Sequence, residues 1–129
     1  MDLAGRNALV TGVSRRAGIG FAVARQLLNA AASVFVQGWT AHDAAQPWGA
    51  EPGGTEAVAR KLGVPFTEAD FSDPASPALV VSAARDALGP LDLLIVNQWR
   101  RRKPDPLGVP RGAPSVQLEN PESVVALVA

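Results

Sequence analysis

The sequence predicts an α/β fold in which an open parallel sheet carries helices on its faces. Short apolar runs of strand type alternate with amphipathic stretches of helical spacing, and turn residues separate them. The run 91–96 is almost continuously apolar, which is typical of a central parallel strand covered on both faces. This alternation implies right-handed crossovers and a ligand crevice at the carboxyl ends of the strands.

The elements follow one another in a regular order. The predicted strands are 8–10, 33–37, 64–69 and 91–96, and the predicted helices are about 18–30, 55–62 and 77–88. In the first helix Ile19, Val23 and Leu27 share one face, so that face is expected to pack on the sheet. Loops after all four strands then meet at one edge of the sheet.

The composition changes near residue 100. Five of the twelve basic residues lie in 100–111, and five of the eleven prolines follow residue 103. We therefore assign 1–99 to the α/β unit and 100–129 to a basic, proline-rich tail, in which 124–129 forms either a short helix or an edge strand. A sheet truncated after about four strands leaves an unpaired edge beside Asn97, which predicts self-association through that edge.

Composition argues against several classes of function. The chain has no cysteine and one histidine, so neither disulfides nor a metal site is expected. No apolar run approaches membrane length and the first residues lack a secretory pattern, which predicts a cytoplasmic protein with no membrane partner. The basic run 100–103 lacks interleaved aromatic residues, which favours a solvated tail over nucleic-acid binding.

The loop between the first strand and the first helix carries the strongest functional pattern. From Thr11 to Gly20 it has the sequence TGVSRRAGIG, with five residues between the first two glycines. Gly12 permits a tight turn, while Gly18 and Gly20 allow backbone to approach a phosphate and helix to approach the sheet. Because a helix N-terminus also favours negative charge, the context predicts a Rossmann-type dinucleotide-binding unit rather than a plain glycine-rich turn.

Over about residues 5–99 the motifs resemble the short-chain dehydrogenase/reductase family. The residues that carry the resemblance are Thr11, Gly12, Gly18, Ile19, Gly20, Asp70, Phe71 and Asn97. The resemblance implies that the glycine loop holds the pyrophosphate of a nicotinamide dinucleotide, that Asp70 contacts the adenine, and that Asn97 supports the cofactor. The family's loop usually has three residues between its first two glycines, so the loop here is a variant.

Charge favours NADP over NAD as the cofactor. An NAD site places an acid at the end of the second strand, and such an acid repels a 2′-phosphate. Here residues 37–40 carry no acid and Asp43 is the nearest, whereas Arg15 and Arg16 lie in the lengthened loop. Two arginines either bind a phosphate dianion through charge-assisted hydrogen bonds or point into solvent.

Four further side chains lie near this pattern. Ser14 either binds a phosphate or caps the turn, and Trp39 either lies against the adenine or covers the sheet edge. For His42 the sequence favours a solvated side chain, and for Trp48 it favours packing within a loop.

The resemblance does not extend to a catalytic set. The family uses a serine and a Tyr-x-x-x-Lys pair, whereas this chain has no tyrosine and only the lysines Lys61 and Lys103. Without a positioned proton donor, efficient hydride transfer is not expected. The sequence therefore predicts a cofactor-binding unit from a truncated or frame-shifted oxidoreductase, with an unknown small-molecule substrate. The alternative is a non-catalytic nucleotide-binding or interaction module.

Overall fold

The computed structural model describes residues 2–97 and the backbone of 124–127. The strands in these ranges are β1 (Asn7–Val10), β2 (Ser33–Gly38), β3 (Phe66–Glu68), β4 (Leu93–Val96) and β5 (Val124–Leu127). The helices in the same ranges are α1 (Ile19–Asn29), α2 (Thr40–Ala44), α3 (Gly54–Leu62) and α4 (Ser76–Leu88).

The strands form one parallel sheet in the order β3-β2-β1-β4-β5. The predicted α/β fold, with a Rossmann-type parallel sheet and flanking helices, is therefore confirmed. The chain runs outward from β1 to β3 and then returns to the other side of β1, so the strand order reverses between β1 and β4. A ligand crevice forms at such a reversal, outside the carboxyl ends of the strands.

Both faces of the sheet are covered by helices. Because successive side chains along a strand point to opposite faces, Val10 packs on the side of α1 and α3, while Leu9 packs on the side of α4. The first face also buries Phe21 of α1 and Val58 of α3, and the second buries Val80 of α4. This two-sided burial explains why the strands are apolar throughout, and it leaves their carboxyl edge as the place for polar groups.

The predicted elements differ from the observed ones mainly at α2. No helix was predicted between the strand 33–37 and the helix 55–62, because a helix of five residues such as Thr40–Ala44 is too short to show an apolar period. β3 and β4 are each shorter than predicted. In the part of the chain that the structure describes, no helix has the length and apolar character needed to cross a bilayer.

β5 corrects the prediction about the sheet edge. It pairs with β4 in parallel along four residues, from Leu93↔Val124 to Val96↔Leu127. The sheet thus has one strand more than the four predicted, and of the two alternatives for this segment the strand is observed. Self-association through an unpaired β4 edge is wrong for that edge, since a strand occupies it. The rest of the predicted tail, 100–123 and 128–129, lies outside the described residues.

Candidate functional site

A cavity of about 710 Å³ opens at the carboxyl edge of the sheet. Loops that follow β1, β2, β3 and β4 all contribute to its wall, as the strand order requires. We call the part lined by Gly12, Gly18 and Asn97 the β1–β4 side. The part lined by Arg15, Trp39, His42, Asp43 and Trp48 is the α2 side.

Two glycines of the loop are needed for the fold itself. Gly12 has a φ of +71°, and a Cβ added there would lie 1.8 Å from the backbone oxygen of Asn97. A Cβ on Gly20 would lie 2.5 Å from the backbone oxygen of Gly12. Since real Cβ contacts are longer than 3.0 Å, these glycines let β1, β4 and α1 meet at one point.

Gly18 differs from these two glycines in its backbone conformation and in the contacts of an added Cβ. Its backbone is extended, with φ −87° and ψ 162°, and an added Cβ would meet one protein atom, the Arg15 backbone oxygen at 3.3 Å. Gly18 caps α1 without a side-chain hydrogen bond, and the first turn carries no acidic residue. The positive end of this helix therefore adjoins the cavity uncompensated, in the arrangement that suits a phosphate.

Hydrogen bonds join the β1 loop to the end of β4. The backbone N–H of Thr11 donates to Ile95 over 2.9 Å, and the Thr11 hydroxyl accepts from the backbone N–H of Asn97 over 3.0 Å. The Asn97 side-chain amide donates to the Gly12 carbonyl over 3.3 Å. Thr11 is buried and does not line the cavity, so it acts by positioning Gly12 and Asn97.

Gln37 organises the same side from the end of β2. Its side chain is almost fully buried, its oxygen accepts from the Gly12 backbone N–H over 3.0 Å, and its amide donates to the Ala69 carbonyl over 2.7 Å. Its backbone oxygen also accepts from Val13. Gln37 was predicted only as the last residue of the strand 33–37. The signal for a special role is a polar side chain in a strand that is otherwise buried and apolar.

On the α2 side, Arg15 contacts both the carboxylate of Asp43 and the ring of Trp48. Its guanidinium carbon is 4.9 Å from the centre of the Trp48 ring, a cation–π distance. Its Nε is 3.9 Å from Oδ1 of Asp43, and the same oxygen accepts a 3.0 Å hydrogen bond from the Trp48 indole. Neither Asp43 nor Trp48 was predicted to belong to the site, because only the fold of α2 brings them to the cavity.

Arg16 points elsewhere. Its backbone N–H and its Nε both donate to the Glu51 carboxylate, over 2.9 and 2.8 Å. These side-chain and backbone hydrogen bonds lower the pKa of Glu51 below its ordinary value. Arg16 does not line the cavity, so the two arginines predicted to act together have separate partners and separate places.

A polar cluster fixes the start of α2 and the start of α3. The Thr40 backbone N–H donates to Glu68 over 3.0 Å and its hydroxyl also contacts that carboxylate, while the Thr40 hydroxyl oxygen accepts from the Thr55 backbone N–H over 3.0 Å. Thr55 is fully buried against Gly38, where an added Cβ would lie 2.5 Å from its hydroxyl oxygen. This cluster holds the wall of the α2 side on the sheet.

Asp70 stands at the end of β3, on the cavity wall. The backbone N–H of Ser72 donates to its carboxylate over 2.9 Å, and this hydrogen bond lowers the Asp70 pKa, with smaller contributions from the Ser72 side chain and from His42. The group is therefore an anionic acceptor at neutral pH. That character suits contact with a donor such as the exocyclic amine of adenine.

Most of the predicted site residues lie together. Those lining the cavity are Gly12, Ser14, Arg15, Gly18, Ile19, Trp39, Asp70, Phe71 and Asn97. Thr11, Arg16 and Gly20 do not line it: Thr11 and Gly20 contact residues that do, whereas Arg16 pairs with Glu51, which is also outside the wall. Ile19 and Trp39 are 56% and 37% exposed, so both offer apolar surface to a ligand.

The residues present fit a dinucleotide. Gly18 presents no side chain where it lines the cavity beside the α1 N-terminus, and the cavity extends from there to aromatic surface at the end of β2. Such a shape offers donors for phosphates at one end and apolar contact for a base at the other. In residues 2–97 there is no group of His, Cys, Asp or Glu side chains placed to hold a metal ion.

Comparison with known proteins gives consistent matches. A family model described as "short chain dehydrogenase" matches residues 6–101. A Streptomyces lividans protein named "Probable oxidoreductase" is 44% identical over 98 residues, which cover 75% of this chain and 29% of that protein. A solved short-chain dehydrogenase/reductase of Serratia marcescens is 30% identical with a TM-score of 0.60, over 75% of this chain and 37% of that one. The Thermus thermophilus protein TT0495 is 32% identical with a TM-score of 0.57, over 77% and 36%. The chain thus spans less than two-fifths of each of these proteins.

Proposed function

The chain belongs to the short-chain dehydrogenase family, and on that premise we propose that its cavity binds the nicotinamide dinucleotide of an oxidoreductase. One observation carries the proposal: Gly18, which has no side chain, lines the cavity beside the α1 N-terminus, at the point where the strand order reverses. Backbone donors and a helix dipole at such a point bind a pyrophosphate without any charged side chain.

Within this proposal NADP is the preferred cofactor, and Arg15 is the residue that selects it. Arg15 lines the cavity on the α2 side, 35% of its side chain is exposed, and no acid follows β2 directly. A 2′-phosphate there gains charge-assisted hydrogen bonds from the guanidinium. Arg16 supports the site indirectly, because its pair with Glu51 ties the glycine loop to the segment before α3.

The reaction proposed for the oxidoreductase to which this cofactor-binding unit belongs is hydride transfer between NADP(H) and an alcohol or carbonyl substrate. The bound cofactor supplies the hydride, while this chain's residues hold and orient it. Asn97, held by Thr11 and Gly12, fixes the cavity wall at the end of β4. The 129 residues contain no tyrosine, so the chain lacks the phenolic proton donor of the family and is proposed to bind cofactor without efficient turnover of its own. Because the chain has no tyrosine, the second candidate is a nucleotide-binding or interaction module that is not part of an oxidoreductase.

Fluorescence titration tests the binding and its selectivity. Trp39 and Trp48 both line the cavity, so bound NADPH or NADH quenches tryptophan emission by energy transfer. We expect saturable quenching by both, with tighter binding of NADPH. Arg15→Ala is expected to weaken NADPH binding by about tenfold, equivalent to one charge-assisted contact, and to change NADH binding little.

The control variant is Arg85→Ala, which removes the same charge from the exposed last turn of α4 at the other end of the sheet. Equal losses for NADPH and NADH in the Arg15 variant contradict the NADP preference but not dinucleotide binding. Absence of saturable quenching by either nucleotide contradicts the proposed function itself. Turnover of alcohol or carbonyl substrates by the purified chain contradicts the proposal that it only binds.

A further inference from the structure

An unpaired carboxylate oxygen on the α2 side of the cavity has no role in the function proposed above. Asp43 is 4% exposed, and within the described residues its Oδ2 has no hydrogen-bond partner. Its other oxygen, Oδ1, accepts from the Trp48 indole and lies 3.9 Å from Nε of Arg15. Burying a carboxylate with one unsatisfied oxygen is unfavourable for the fold, which points to a functional role for Asp43.

The position of this carboxylate puts it in competition with the cofactor. Asp43, Arg15 and Trp48 line the same cavity, and the Trp48 ring and Asp43 contact Arg15 together. A phosphate dianion that binds Arg15 must draw the guanidinium from the carboxylate that already attracts it. This competition for the guanidinium opposes binding of the phosphate.

We propose that Asp43 is a specificity-determining residue that limits binding of a 2′-phosphate by engaging Arg15. The inference rests on the proposed function, since it concerns the same cavity. Arg15 favours the phosphorylated ribose and Asp43 opposes it, so their balance sets how strongly the site prefers NADP over NAD. Asp43 acts through Arg15 and is therefore a positioning residue.

The test uses two nucleotide probes that differ only in the 2′-phosphate, adenosine 2′,5′-bisphosphate and adenosine 5′-monophosphate. Their binding to the full 129-residue chain is measured by isothermal titration calorimetry. Asp43→Asn keeps an oxygen that accepts from the Trp48 indole while it removes the charge. The variant is expected to bind the bisphosphate about tenfold more tightly and the monophosphate unchanged, because the carboxylate competes only for the guanidinium that binds the 2′-phosphate.

A double-mutant cycle separates this role from a general effect of charge. If Asp43 acts through Arg15, the gain in bisphosphate affinity disappears in Asp43→Asn combined with Arg15→Gln. Asp86→Asn is the matched control, because it removes one negative charge from exposed surface near the end of α4. Thermal melting without nucleotide verifies that each variant is folded.

Three results overturn the inference. Unchanged bisphosphate affinity in Asp43→Asn shows that the carboxylate does not oppose the phosphate. Weaker monophosphate binding shows instead that Asp43 holds the unphosphorylated ribose. A gain that persists without Arg15, or that Asp86→Asn reproduces, shows a general charge effect. Binding of neither probe by the unmodified chain contradicts the proposed function rather than the role of Asp43.

Discussion

The β1–β4 side of the cavity is built from backbone and buried hydrogen bonds, whereas the α2 side is built from charged and aromatic side chains. On the first side Gly12 leaves no room for a Cβ, and buried Gln37 joins the loops that follow β1 and β3. On the second side Arg15, Asp43 and Trp48 meet through one ion pair, one hydrogen bond and one ring contact.

The two sides are therefore expected to tolerate substitutions differently. A change on the β1–β4 side disturbs close-packed backbone and buried polar groups, which are costly to alter. A change at Arg15 on the α2 side alters a charge that is partly exposed to water, so it affects ligand selectivity more than folding. Two variants below alter the β1–β4 side, and a third alters the solvent-screened Arg16–Glu51 pair, which lies outside the cavity wall.

Gly12→Ala is expected to destabilise the chain by more than about 4 kcal/mol, enough to unfold much of it at room temperature. The added methyl group overlaps the Asn97 backbone oxygen, and the φ of +71° is unfavourable for alanine. Thermal melting followed by circular dichroism measures the loss. Gly49→Ala is the control, because Gly49 has a φ of +69° but open space around it. If both variants lose the same stability, the overlap at Gly12 is not the cause.

Gln37→Leu is expected to cost about 3 kcal/mol, because it leaves the Gly12 N–H and the Ala69 carbonyl without their buried partner. Urea denaturation measures the free energy of unfolding. Gln26→Leu on the exposed face of α1 makes the same exchange without burial and is expected to change stability by less than about 0.5 kcal/mol. A Gln37 variant as stable as this control would show that the two buried hydrogen bonds of the Gln37 side chain do not stabilise the fold.

Glu51→Gln is expected to cost only about 0.5 kcal/mol at neutral pH, since its partner Arg16 is 54% exposed and the pair is screened by solvent. The Glu51 pKa is lowered in the folded chain by its Arg16 hydrogen bonds, so the pair stabilises the fold above the unfolded-state pKa. That stabilisation is lost as the pH falls below about 4.3 and through the folded-state pKa. Denaturation curves of both proteins therefore converge at acid pH, and a difference that persists there argues against the pair.

The same contrast explains how much the sequence could predict. Glycine spacing specifies backbone geometry locally, so the positions of Gly12, Gly18 and Asn97 at one cavity followed from the motif and the strand order. Gln37 acts through partners 25 and 32 residues away, and no local pattern reports such contacts. Asp43 and Trp48 reach the cavity only because α2 forms, and a helix of five residues leaves no periodic signal.

The strand order also shows where a motif stops being informative. Four strands were predicted from their own apolar runs, whereas β5 forms from a segment for which a helix was an equal alternative. This segment forms a strand because it pairs with β4, through contacts between residues about 30 positions apart. Strand propensity depends on the neighbouring strand, so the alternative was open until the sheet was known.

The most direct test of dinucleotide binding is the melting temperature of the unmodified chain and of Gly18→Val, each with increasing NADPH. The Gly18 backbone is extended, a conformation that any residue adopts, and an added Cβ would make one close contact, at 3.3 Å from the Arg15 backbone oxygen. The variant should lose about 1 kcal/mol without ligand. The unmodified chain should gain about 2.7 kcal/mol at a hundredfold excess of NADPH over its Kd, while the variant gains nothing. No stabilisation of the unmodified chain by NADPH, NADP, NADH or NAD would contradict dinucleotide binding. Equal stabilisation of the variant would contradict binding beside Gly18.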